Sequence, residues 1–139
     1  MSNRISVSGL IKTSAIKAFD AFTSPASITQ WNQASPDWHC PFANVDLRIG
    51  GQYLARMEAK DGSFGFDFEG KIEELDEPKL IAIRLGDGRL ARTTFDEVAE
   101  GVKVTTSFDP ENSNPVEMQR EGWQAILDSF VRHVEASRG

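Results

Sequence analysis

The segment NPVEMQREGWQAILDSFVRHV, residues 114–134, decides the fold. Asn114 at a cap, Pro115 at the first helical position and Glu117 at the third form a variant of the capping box. Apolar residues then recur at Val116, Trp123, Leu127, Phe130 and Val134, with Ile126 flanking. That spacing places one stripe on a helix of about 20 residues, which must lie against something apolar.

What precedes it supplies the surface. Residues 102–108 alternate, with Val102, Val104, Thr106 and Phe108 on one face. Moving back, residues 92–98 and 80–85 read as strands, separated by turns at Glu100-Gly101 and Gly86-Asp87-Gly88. Glu77-Pro78 is a further turn. Phe64, Phe66 and Phe68 share one strand face while Asp67 and Glu69 share the other. Gly70 marks a bulge, since Leu75 falls out of that parity. Asp61-Gly62 is a hairpin signal joining the strand at 52–59, where Tyr53, Ala55 and Met57 share a face. Gly50-Gly51 turns the chain after a short strand at 46–49. Residues 32–45, broken by Pro36 and Pro41, read as irregular. Their Trp38, His39 and Phe42 cover one mouth of the fold.

At the start of the chain, Ile5, Val7, Gly9 and Ile11 alternate on a half-buried strand. Thr13 or Ser14 caps a short helix in which Ile16, Phe19 and Phe22 repeat at helical spacing. Ser24-Pro25 opens a second short helix ending near Trp31. The class is α+β: an antiparallel meander with one long helix laid across it. The space under that helix is the first place to look for function.

The 139 residues form one domain, 1–139, long enough to bury roughly two-thirds of its unfolded surface. A net charge of −6 argues against phosphate-backbone binding and against a basic membrane-surface helix, so neither nucleic acid nor membrane insertion is expected. No apolar run approaches the roughly 20 residues needed to span a bilayer. Residues 1–5 lack a leader's apolar region, and the single cysteine, Cys40, allows no internal disulfide. The expected location is the cytoplasm.

Several local patterns, in order, resemble a known family. They are Ala18-Phe19-Asp20-Ala21-Phe22-Thr23-Ser24-Pro25 followed by Trp31, then Asp46-Leu47-Arg48-Ile49-Gly50-Gly51. Gly70-Lys71-Ile72-Glu73-Glu74-Leu75 precedes Pro78-Lys79-Leu80, and Gly122-Trp123 falls in the last helix. The chain is similar to the START-like superfamily and, within it, to the activator of Hsp90 ATPase homologue 1-like domains. Ala15 stands where relatives often carry Pro, and Phe19 where they often carry Trp. The resemblance implies a helix-grip fold: a curved antiparallel sheet of six to seven strands wrapped around the C-terminal helix, with a cavity between. It implies an apolar or aromatic small-molecule ligand. The alternatives are a polyketide cyclase or aromatase-like enzyme and a chaperone-associated interaction module. Co-chaperone relatives carry an additional N-terminal domain, which ranks the last reading low. The family supplies no fixed catalytic residue, and a homodimer stays open.

The expected lining is Phe64, Phe66 and Phe68 with Tyr53 and Met57, closed by Trp123, Leu127 and Phe130. A solid core needs the same residues. Trp38 and His39 border the mouth. Arg84 either reaches a ligand carboxylate or sits on a solvated strand face beside Arg92. Asp37, His39 and Cys40 make a poor metal or thiol site, because adjacent residues of an extended loop point apart and His133 is the only other histidine. No metal or cofactor is expected. Asp67 and Glu69 belong to the outer face. Gly122 costs roughly 0.8–1 kcal/mol inside a helix, and close approach of the helix to its neighbours is the expected compensation, a slight kink the other.

Overall fold

A computed structural model describes residues 4–33, 35–112 and 114–136; Met1 to Asn3, part of the segment read above for a leader, lie outside them. The elements run β1 (Ile5–Ile11), α1 (Ala15–Thr23), α2 (Pro25–Trp31), β2 (Trp38–Val45), β3 (Gln52–Ala59), β4 (Gly65–Asp76), β5 (Leu80–Leu85), β6 (Leu90–Val98), β7 (Gly101–Phe108) and α3 (Val116–Ala136). The strands form one antiparallel sheet in the order β1-β7-β6-β5-β4-β3-β2. Hairpins join β2 through β7, and the α1–α2 pair carries the chain from one edge strand to the other. The sheet curls into a half-barrel with α3 in its grip.

Among the strands, α3 packs mainly on β1. Gly9 permits this: a Cβ there would stand 2.9 Å from Val131 Cγ2. Side chains of α3 also bond the outer carbonyls of β1, with Gln124 Nε2 donating to Ser8 O (3.1 Å) and Arg120 Nη1 to Ser6 O (3.4 Å). Because the helix follows one edge, space remains between it and the middle of the sheet.

Several expectations need correction. Residues 38–45 are a strand, not an irregular loop. It is an edge strand, and its register shifts between His39 and Phe42, around Pro41, whose missing N–H an edge tolerates. Residues 46–49 are not a strand: the Arg48 N–H turns back to the Asp46 carbonyl (2.8 Å), and the Arg48 side chain pairs with the Asp46 carboxylate. The bulge on β4 falls between Ile72 and Glu74 rather than at Gly70. Gly70 instead allows close approach, since a Cβ there would collide with the Arg84 carbonyl and Ile83.

On α1, Ser14 caps as expected, accepting from Lys17 N–H, but Ile16 faces solvent, and Ala15, Ala18 and Phe19 take the buried stripe. The Asn114 side chain bonds Glu111, so the start of α3 is organised by Gln119, whose amide donates to the carbonyls of Glu111 and Asn114. Val116 is exposed, whereas Leu127, Phe130 and Val134 are buried. Gly122 meets no close neighbour: a Cβ added there would touch nothing within 4 Å.

Candidate functional site

A cavity of about 230 Å³ lies between the sheet and α3 and opens to solvent. One wall is the inward face of β3 and β4, where alternation presents Tyr53, Met57, Phe66 and Phe68. The floor comes from β5, β6 and β7: Ile83, Ala91, Thr93 and Thr106. The helix contributes Trp123, Ile126, Leu127 and Phe130, α1 contributes Phe22, and the end of α2 contributes Trp31 and its cap Asn32. Arg89 also lines it, immediately ahead of β6.

Two long-range hydrogen bonds fix the α1–α2 corner of this wall. The last carbonyls of a helix have no partner within it. Here the Trp31 indole N–H donates to Ala21 O (2.9 Å) and the Tyr53 hydroxyl to Phe22 O (2.7 Å). Phe22 then stacks on Trp31 and meets Phe130 edge-on. Trp123 stacks on Phe108 with ring centroids 3.9 Å apart and meets Phe68 edge-on, so it spans floor and wall.

Polar groups are few. Burial, with the nearby Cys40 thiol adding to it, pushes the Tyr53 phenol far above its ordinary value. With its proton also committed to Phe22, it is no acid or base at neutral pH. The Thr93 and Thr106 hydroxyls pair at 2.8 Å across β6 and β7. Arg89 Nε contacts the Asp87 carboxylate at 2.7 Å.

Of the residues singled out by sequence, Tyr53, Met57, Phe66, Phe68, Trp123, Leu127 and Phe130 are brought together around this space. Trp38, His39, Phe64 and Arg84 are not among its lining. Phe64 is 61% exposed because it precedes β4 in the turn, and it packs edge-on against Trp38. Trp38 also meets Phe66, which makes an aromatic lip beside the cavity. His39 faces Glu58 across the β2–β3 pair (3.8 Å). Cys40 points the other way and is buried, which raises its thiol's pKa. The Arg84 guanidinium grips Glu73 with two bonds (2.7 and 3.1 Å) on the opposite face of the sheet. Asp67 and Glu69 lie exposed, bonded to Arg56 and Gln52.

Asn32, Arg89, Thr93 and the pair of Phe22 and Trp31 line the cavity without having been expected there. Thr106 carried a signal: a hydroxyl at an inward parity position between Val104 and Phe108. Asn32 and Arg89 sit beside elements and follow no period.

No helix among the described residues is long and apolar enough to cross a membrane, and none of their His, Cys, Asp and Glu side chains cluster to hold a metal ion. Among curated proteins none matches the chain. Solved structures do. An Activator of Hsp90 ATPase homolog 1-like (AHSA1-like) protein from Aeromonas hydrophila is 39% identical, with a TM-score of 0.91 over 96% of this chain and 93% of that one. A protein from Cytophaga hutchinsonii is 40% identical, with a TM-score of 0.79 over 98% and 93%. One from Chromobacterium violaceum shares the fold at 22% identity, with a TM-score of 0.83 over 96% and 98%. The model of the family described as Activator of Hsp90 ATPase homolog 1-like protein matches residues 12–135, and the chain belongs to that family.

Proposed function

We propose that this protein binds a small apolar or aromatic molecule between its sheet and its last helix, in the cytoplasm. The observation that carries the reading is the space itself. Protein interiors are normally packed with few voids larger than a water. Here about 230 Å³ stays open beneath Trp123, room for roughly eight waters at about 30 Å³ each, or for a one- or two-ring compound. Apolar walls with a few polar groups are the usual make-up of a ligand site.

Trp123 reports on the space directly. Titrating the protein with a library of lipids and aromatic compounds should shift tryptophan emission for at least one class. Native mass spectrometry of the freshly purified protein should identify any compound carried from the cell. A library that leaves both emission and melting temperature unchanged overturns the reading.

A further inference from the structure

We propose that the molecule held here is an uncharged aromatic compound bearing a hydroxyl or carbonyl oxygen, recognised by the Asn32 carboxamide and the Thr93–Thr106 hydroxyl pair. The proposal rests on the binding reading above and names its chemistry.

Asn32 lines the cavity and is only 7% exposed. Its carboxamide makes no hydrogen bond to any described residue, yet no buried side-chain nitrogen or oxygen among those residues is sealed off without a partner. Its amide atoms therefore reach solvent-accessible space. Those atoms are left to water or to a ligand that replaces it, so this group offers an open donor and acceptor to whatever occupies the cavity. The threonine pair points the same way. Two hydroxyls carry two protons, and their mutual bond uses one. The other O–H has no acceptor among the described residues, although both side chains are buried and line the cavity.

Charge argues for a neutral ligand. Arg89 is the one charged residue of the described lining, and its guanidinium is already engaged by the Asp87 carboxylate and the Asp109 carbonyl. It also stands four residues before Thr93, roughly 13 Å along the strand at about 3.3 Å per residue. A carboxylate seated by the threonines would be buried without a cation. Aromatic rings on three sides, among them Phe68, Trp123 and Phe130, suit a flat ring system.

Three matched probes test this by calorimetry: 2-naphthol, 2-methylnaphthalene and 2-naphthoate. The naphthol should bind about tenfold tighter than the methyl compound, the scale of one net hydrogen bond, and the naphthoate no tighter than the methyl compound. Asn32→Leu and Thr93→Val should each narrow the ratio of 2-naphthol to 2-methylnaphthalene affinity, which is the quantity compared whatever the variant does to the methyl compound alone. In the unaltered protein, the Asn32 side-chain NH2 resonances should move with 2-naphthol and stay still with 2-methylnaphthalene. Equal affinities for those two, a preference for the naphthoate, or silent Asn32 resonances would overturn the proposal and leave the cavity reading standing. Failure of all three probes to bind would overturn this proposal, while the binding reading falls only with the wider library.

Discussion

Tyr53 shows how one side chain both builds the cavity wall and leaves the chemistry of the site. Its hydroxyl supplies the bond that the last turn of α1 lacks, at Phe22 O, from a strand 31 positions further along. Tyr53→Phe leaves that carbonyl without its donor in a partly buried setting, and should lower stability by about 1 kcal/mol in urea denaturation. An unchanged midpoint would mean that the carbonyl finds another partner. Gly122 predicts the opposite sign. Nothing crowds it, so Gly122→Ala should raise stability by roughly 0.8–1 kcal/mol through helix propensity alone. A loss would reveal a contact that the geometry lacks. Neither result follows from sequence: the Tyr53 bond is non-local, and a helical glycine suggests crowding until its neighbourhood is seen.

At the scale of elements, β4 carries its phenylalanines from bulk solvent into the cavity. Phe66 is 44% exposed and belongs both to the aromatic lip and to the lining. Phe66→Ala should therefore cost about 2 kcal/mol, less than the ~3–5 kcal/mol of a fully buried ring. It should also speed ligand exchange by widening the entrance, which stopped-flow tryptophan fluorescence would detect as faster association. A destabilisation of buried-ring size would place Phe66 deeper than its exposure does. Legibility follows the same lines. The alternation along β3, where Tyr53, Ala55 and Met57 are all buried, could be read by eye because one face packs and the other is wet. Strand β2 could not, because Pro36 and Pro41 signal irregularity and only an edge position with a register shift accommodates Pro41. Arg84 was ambiguous for the opposite reason. Parity put it opposite Ile83, but only the sheet's curl decides which side faces the helix.

Over the whole molecule, acidic carboxyls tie the β-structure together. The Arg84 guanidinium bonds Glu73 and lowers its pKa. The Leu90 backbone N–H, with Arg4 and Arg84 nearby, holds Asp109 below its ordinary value. Carboxyls whose folded pKa is depressed contribute stability above their unfolded values of 4.5 and 3.8, and that contribution is lost as pH falls through the lower folded values. Melting temperature should hold from neutrality to about pH 5 and drop below about pH 4, less steeply in high salt because these groups are partly exposed. A flat profile down to about pH 2 would show that these pairs contribute nothing to folding. The order of parts was legible at this scale, since turns and periods are local. The polar fittings of the cavity were not, since Asn32 and Thr93 meet only when distant segments close on one space. Finally, the open ends of the sheet bear on how the protein behaves in a crowded cell. An unpaired strand border is a template on which further chains can add and grow into fibrils. One border here is interrupted by Pro41, and the other has its outward carbonyls taken by Arg120 and Gln124. The fold thus carries a guard against stacking at both borders.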